Sequence, residues 1–252
     1  MKELDQRTVC GIARLAGQEI MRVRRGALGV EYKADHSPVT AADKASDALI
    51  REALSQAFPK IPILSEETAQ EPFEVRKAWK RFWLVDPLDG TKEFIKDNGE
   101  YAVCIALVEK GRPVFGAIGL PARDSLYFGG PGLGAFRMDG AGAPRPIHVK
   151  KPGPGETPVI LESRSHKDAE LADFLSRYPD RTMVTAGSAL KFCMLAEGLG
   201  HLYPRTGPTM EWDVAAGHAL VQGAGGTLTA LDGEPFAYNK PSLINGSFLA
   251  KA

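Results

Sequence analysis

Between Phe82 and Phe94 the chain reads Phe-Trp-Leu-Val-Asp-Pro-Leu-Asp-Gly-Thr-Lys-Glu-Phe, and few stretches restrict a fold more. The apolar, aromatic-rich run Phe82–Val85 predicts a buried strand. It breaks at Asp86. Asp86 and Asp89 then flank a rigid Pro-Leu pair before Gly90 and Thr91, where a strand gives way to a loop or a helix start. Two carboxylates held at the carboxyl end of a strand repel each other unless a cation lies between them. Hard cations such as Mg²⁺ take oxygen ligands of this kind and share them with a substrate phosphate. Asp, Pro and Gly are also turn formers, so a plain turn is the competing reading.

A chain of 252 residues fits one compact body or two closely packed halves, and roughly 70–75% of its unfolded surface is removable from water. Thirty-one basic residues balance thirty-one acidic ones. With no overall field, a nucleic-acid polymer is not the expected partner. Cys10, Cys104 and Cys193 are odd in number and far apart in apolar surroundings, which predicts buried free thiols in a reducing cytosol. No stretch has the length of a membrane span, and the N-terminus, with Glu3 and Asp5, lacks a signal-peptide core. The expectation is a cytoplasmic protein without a transmembrane segment. Attachment to the cytoplasmic face of the inner membrane and the choice between monomer and homodimer stay open.

Helical spacing of Val9, Ile12, Ala13, Ala16, Ile20 and Val23 predicts an amphipathic helix from about Leu4 to Val23. Thr40 followed by Asp43 has the form of a helix N-terminus with a first-turn acid, and that helix runs to about Phe58. A short strand, Ile61–Leu64, delivers Ser65-Glu66-Glu67. Thr68–Lys80 reads as a surface excursion. Strands at Tyr101–Val108, Pro113–Gly119, Leu126–Phe128 and Gly134–Met138 continue an antiparallel sheet. The Gly- and Pro-rich section after Gly129 holds the best boundary, near Ala143–Lys151. Beyond it strands (Val159–Leu161, Thr182–Thr185, His201–Tyr203, Gly226–Ala230, Phe248–Ala250) alternate with helices (Asp168–Arg177, Ala189–Glu197, Val214–Gln222). The expectation is an N-terminal α+β metal-binding domain, 1–145, and a C-terminal α/β substrate-binding domain, 146–252.

Acidic residues recur at the junctions of these elements, where loops present functional groups. They are Asp43 beside Thr40, Glu66 with Glu67, Asp86 with Asp89, and Asp213 in Glu211-Trp-Asp-Val-Ala-Ala-Gly217. Each has a plain structural reading: a first-turn acid, a solvated turn, a turn, an N-cap. Together, beside a Gly-Thr turn, they point to a Mg²⁺ site acting on phosphate.

Asp86-Pro-Leu-Asp-Gly-Thr with Phe94, preceded by Ser65-Glu-Glu and followed by Trp212-Asp-Val-Ala-Ala-Gly, resembles the signature set of the inositol monophosphatase superfamily of Mg²⁺-dependent, lithium-sensitive phosphatases. The resemblance covers essentially the whole chain. Ser37–Asp43, Leu64–Glu67, Gly90–Ile95, Ser163-Arg-Ser-His166, Gly187–Cys193 and Leu202-Tyr-Pro-Arg205 are similar to the bacterial 3′(2′),5′-bisphosphate nucleotidases within it. Ala189 stands where a second Ser is common. The implied fold is a layered αβαβα sandwich of the inositol monophosphatase and fructose-1,6-bisphosphatase type. The implied activity is hydrolysis of the 3′-phosphate of adenosine 3′,5′-bisphosphate to AMP and phosphate, with the sulfated relative of that nucleotide as a further substrate, in sulfur metabolism or nucleotide recycling.

By the same resemblance, Glu66, Asp86 and the Leu88 carbonyl would hold one Mg²⁺, and Asp86, Asp89 and Asp213 a second. Such pairs clamp the attacking and leaving oxygens of an in-line displacement. A third ion would sit near Glu66, with Glu67 behind it. Thr91, oriented by Asp43, would position and help deprotonate the attacking water, and the Gly90 and Thr91 N–H groups would receive phosphate. Substrate would lie against Glu66, Leu88, Asp89, Gly90, Thr91 and Asp213. Its second phosphate and ribose would meet His166, Ser188, Lys191 and Arg205, since both cation types suit phosphate. The alternatives are an inositol or sugar phosphate phosphatase, and a catalytically silent metal- or nucleotide-binding regulatory protein.

Overall fold

The structure is a computed structural model and describes residues 4–26, 28–33, 36–164 and 168–252. His166 and Asp35 lie outside the described residues. In chain order the elements are α1 (Gln6–Arg24), β1 (Glu31–Tyr32), β2 (Pro38–Val39), α2 (Ala41–Ala57), β3 (Ile63–Ser65), α3 (Phe73–Arg76), β4 (Arg81–Asp89), α4 (Thr91–Ile95), β5 (Ala102–Glu109), β6 (Arg112–Leu120), β7 (Ser125–Gly130), β8 (Gly134–Asp139) and β9 (Arg145–Pro146). They continue with β10 (Val159–Glu162), α5 (Ala169–Ser176), β11 (Thr182–Thr185), α6 (Leu190–Ala196), β12 (Leu202–Arg205), β13 (Thr209–Met210), α7 (Glu211–Gly223), β14 (Thr227–Ala230), β15 (Ile244–Asn245) and β16 (Phe248–Lys251).

Strand β4 shows why the layers form. Its side chains alternate between two cores, as a period of two requires. Trp83 and Val85 face α1 and α2, whereas Phe82 and Leu84 face the opposite way, toward α6 and α7. A sheet apolar on both faces must be covered on both. The seven-stranded sheet, in order β3-β4-β5-β6-β7-β8-β9, is therefore sandwiched between helix pairs. Beyond α6 and α7 lies a five-stranded sheet, β11-β10-β12-β16-β14, whose Leu161, Tyr203, Leu228 and Phe248 join the same core, and α5 packs on β12. The result is the expected αβαβα layering.

Helix α7 runs through the middle, against β4–β8 on one side and β14 and β16 on the other. Its approach to β6 needs a glycine. A Cβ on Gly116 would stand 2.2 Å from the Ala216 carbonyl oxygen, so only a bare backbone fits there.

Several sequence expectations shift. Strand β4 does not end at Asp86 but runs through the motif to Asp89. The 68–80 excursion is not purely a surface feature: Arg76 is buried and donates to Asn239 Oδ1 at 2.7 Å and to the Lys240 and Pro241 carbonyls. The boundary region carries an edge strand, β9, paired with β8. Asp213 is not an N-cap; α7 starts two residues before it, and its Oδ2 accepts from Met210 N at 2.8 Å. Cys10, Cys104 and Cys193 are buried and free. No helix among the described residues is long and apolar enough to cross a membrane.

Candidate active site

Helix α2 brings one polar face to the carboxyl ends of β3 and β4. Asp43, Ser46 and Asp47 are buried, and their spacing of three and four places them together. Thr40 caps the helix: its N–H and hydroxyl both donate to Asp43 Oδ2, at 2.7 and 2.6 Å. Asp43 Oδ1 remains, and it accepts the Thr91 hydroxyl at 3.0 Å. Burial raises the Asp43 pKa, and the Thr40 and Thr91 bonds pull it back. Ser46 Oγ donates to the Pro87 carbonyl at 2.8 Å, and Ser65 Oγ to Asp47 Oδ1 at 2.5 Å. Ser46 thus ties α2 directly to the Asp-Pro-Leu-Asp stretch, Thr91 ties it to the start of α4 just beyond, and Ser65 ties it to β3.

That stretch holds an irregularity on which the site depends. Residues three apart on a regular strand point to opposite faces. Here Asp86 pairs with Cys104 and Asp89 with Ala102, so three steps on β4 match two on β5. The extra residue of this bulge re-aims the strand. Cys104 and Ala102 belong to the core on the α7 side, and cross-strand partners share a face. Both carboxylates therefore turn toward α7, which carries Asp213.

The electrostatics record that convergence. Burial first, then Glu66, Asp89 and Asp213, push the Asp86 pKa well above the carboxylate range. Burial, with Asp89 and Glu66, does the same to Asp213, while for Asp89 the Ser188 hydroxyl offsets part of the burial cost. Glu66 and Glu67 share one cation. Lys33 Nζ lies 2.8 Å from Glu66 Oε1 and 2.6 Å from Glu67 Oε1. Burial works against that ammonium, yet the two carboxylates hold its pKa above the lysine value.

Among the described residues no three His, Cys, Asp or Glu side chains are gathered tightly enough to enclose an ion as they stand. Asp89 is turned to Ser188, Asp213 to Met210 and Glu66 to Lys33. The donor set still suits a hard divalent cation: it is all oxygen, its carboxylates raise one another's pKa, and an ammonium already stands in for a cation at Glu66.

The second half closes the site. Ser188 Oγ donates to Asp89 Oδ2 at 2.7 Å, and Ala189 N to the same oxygen at 2.6 Å. The family departure at Ala189 leaves this backbone bond intact. Ser188 has φ 52°, a left-handed conformation costly for a residue with a Cβ and of the sort retained at functional sites. Lys191 is buried, donates to the Ala186 and Ser188 carbonyls at 3.0 and 2.8 Å, and lies 5.2 Å from the Tyr203 ring centroid. Burial lowers its pKa to about 8. Arg205 is buried and donates to the Gly207 and Pro208 carbonyls. Asp89, Gly90, Ser188, Lys191, Arg205 and Asp213 line one cavity of about 150 Å³.

The sequence pattern assigns no role to Lys33, Ser46, Asp47, Glu100, Arg164 or Glu211. Glu211 is wholly buried and accepts from Asn239 N, Lys240 N and Lys240 Nζ, tying the 239–240 loop to the start of α7. A buried acid next to Trp212 in the motif was the available signal. Arg164 lies inside the Ser-Arg-Ser-His stretch already singled out.

Residues 2–252 match the inositol monophosphatase family. The chain is 46% identical over 248 residues to the 3′(2′),5′-bisphosphate nucleotidase CysQ of Escherichia coli O157:H7, covering 97% of this chain and 98% of that one. It is 41% identical to the CysQ of Buchnera aphidicola subsp. Acyrthosiphon pisum (strain APS), covering 100% and 94%. Among solved structures, CysQ from Bacteroides thetaiotaomicron superposes with a TM-score of 0.83 at 35% identity, covering 98% and 96%. An inositol monophosphatase from Anabaena (Nostoc) sp. PCC 7120 gives 0.76 at 31%, covering 98% and 92%. With the layering, the bulged Asp86–Asp89 pair and a full-length match in agreement, the chain belongs to the inositol monophosphatase family.

Proposed function

We propose that this chain is a Mg²⁺-dependent phosphatase that removes the 3′-phosphate of adenosine 3′,5′-bisphosphate, yielding AMP and phosphate. The observation that carries the reading is the Thr91 hydroxyl on Asp43 Oδ1 beside four mutually repelling carboxylates. The full-length relatives named as bisphosphate nucleotidases support the substrate. The division of the chain into a metal-binding part, 1–145, and a substrate part, 146–252, belongs to the same proposal. It is supported by the strands of the seven-stranded sheet all falling between Ile63 and Pro146, with only the last residue of β9 past the boundary, and those of the five-stranded sheet between Val159 and Lys251.

Glu66, Asp86 and the Leu88 carbonyl would hold one ion and Asp86, Asp89 and Asp213 another, with Glu67 backing a third. Bound there, Mg²⁺ supplies charge neutralisation for phosphate and lowers the pKa of water. The rest is done by the chain itself. Asp43 fixes the Thr91 hydroxyl, which accepts a hydrogen bond from the attacking water and passes its own proton toward Asp43 Oδ1. The Gly90 and Thr91 N–H groups meet the phosphate oxygens. Ser188 and the Ala189 N–H orient Asp89. Lys191 and Arg205 hold the turns that wall the nucleotide cavity.

Phosphate release from adenosine 3′,5′-bisphosphate, its sulfated relative and inositol 1-phosphate, each with and without Mg²⁺, tests the reading. The bisphosphate should give the highest kcat/KM. A higher value for inositol 1-phosphate would replace this reading by that of a sugar phosphate phosphatase.

A further inference from the structure

Four cations line the cavity beside Asp89: Lys92, Arg164, Lys191 and Arg205. Lys191 and Arg205 are buried and donate to backbone carbonyls, so they brace turns. Lys92 is exposed on a flexible stem. Arg164 differs from all three. Its Nε and Nη2 donate to Glu100 at 2.9 and 2.6 Å, and the side chain keeps 46% of its surface exposed. A guanidinium has five N–H groups in a rigid fork. One edge is gripped, and among the described residues the N–H groups of the opposite edge have no partner and remain for a ligand.

The grip is built in. Glu100 is only 12% exposed, and its Oε2 also accepts from Gly187 N at 2.8 Å. A Cβ on Gly187 would stand 2.9 Å from Glu93 Cγ and 3.1 Å from Glu100 Oε2, so the brace is fitted to a bare backbone. Burial works against the Glu100 charge, yet Arg164 and the Gly187 N–H hold its pKa below the usual range. Gly187 leads directly into Ser188, which binds Asp89. Arg164 is thereby tied, through one carboxylate, to the turn that holds a reaction-end acid.

We propose that Arg164, braced by Glu100, is the residue that selects nucleotides carrying a second phosphate; this rests on the functional reading above and assigns its specificity. A preorganised guanidinium forms charge-assisted bonds to phosphate with little ordering cost. A ligand with one phosphate engaged at the carboxylate end offers it nothing. Glu100 cancels much of the long-range attraction, so discrimination comes from contact geometry.

Titration calorimetry of AMP and adenosine with the wild-type protein and with Arg164→Met, Arg164→Lys and Glu100→Gln tests this. Loss of charged hydrogen bonds corresponds to about a 10- to 100-fold change in affinity. Wild-type protein should bind AMP more tightly than adenosine by about that factor. Arg164→Met should bring the ratio close to one while adenosine binding holds, Arg164→Lys should restore part of it, and Glu100→Gln should lower it. An unchanged ratio in Arg164→Met, or equal losses for AMP and adenosine, overturns the assignment. Wild-type protein that releases no phosphate from adenosine 3′,5′-bisphosphate overturns the functional reading itself, and this inference with it.

Discussion

Thr91 and Asp43, 48 residues apart, meet through a single 3.0 Å hydrogen bond, and the other Asp43 oxygen is fully occupied by Thr40. Asp43 therefore cannot turn away from Thr91 without breaking the cap of α2. Thr91→Ala should lower kcat by about 10²–10⁴, the range of a general acid–base group, with substrate affinity largely kept. Thr91→Ser should recover most of the rate. Calorimetry under Ca²⁺, where turnover stops, separates binding from chemistry. Loss of binding with normal saturated turnover would contradict the role given to Thr91.

Asp213→Asn removes one of the charges that raise the Asp86 pKa. Mg²⁺ affinity should fall by at least about tenfold, since one carboxylate–cation interaction exceeds 1.4 kcal/mol in a buried site, and phosphate release should fall with it. Asp89→Asn should do the same and also loosen Ser188. Full activity after exhaustive chelation would refute the metal requirement.

Lithium is close to Mg²⁺ in size but has half its charge. Occupying the Asp86–Asp89–Asp213 position beside product phosphate, it should inhibit in an uncompetitive or mixed pattern. Steady-state rates over a LiCl series, with KCl at matched ionic strength, measure this. Equal rates in both salts would rule it out.

Gly116→Ala should destabilise the fold without touching the site. The new methyl carbon would lie 2.2 Å from the Ala216 carbonyl oxygen, so β6 and α7 must separate, at a cost of about 1–3 kcal/mol. Urea denaturation should show a lower midpoint with an unchanged slope. A midpoint equal to that of the wild type would mean α7 is not seated on β6 as described.

His218 gives a pH dependence that can be isolated. It is buried, with Nδ1 3.0 Å from the Tyr238 hydroxyl and Nε2 without a partner among the described residues. Burial, aided by Arg112, lowers its pKa from 6.5 to about 4. Between those values the unfolded chain binds the extra proton, so stability falls as pH drops. The neutral ring's contribution is complete above 6.5, and about 2 kcal/mol of it is lost by pH 5. His218→Gln should show a correspondingly smaller loss of unfolding free energy between pH 7.5 and 5. Equal losses in the two proteins would exclude this group as the source.

The elements themselves were written in local pattern. Phe82–Val85 read as a strand from its apolar run, Thr40–Asp43 as a helix start from cap chemistry, and Thr182–Thr185 as a strand with the observed ends; these depend on neighbours in the chain. The acids of the site were legible as types and motifs for the same reason. Their common direction was not. Asp86 and Asp89, three apart, would point oppositely on a regular strand, and only pairing with Cys104 and Ala102 on β5 reveals the bulge that aligns them. Lys33 on Glu66 and Glu67, Arg76 beneath Asn239, and Arg164 braced by Glu100 join segments from 33 to 163 residues apart. No local pattern encodes such pairs, because each arises when separate elements bury their apolar faces in one layered core and their polar ends are left to satisfy one another.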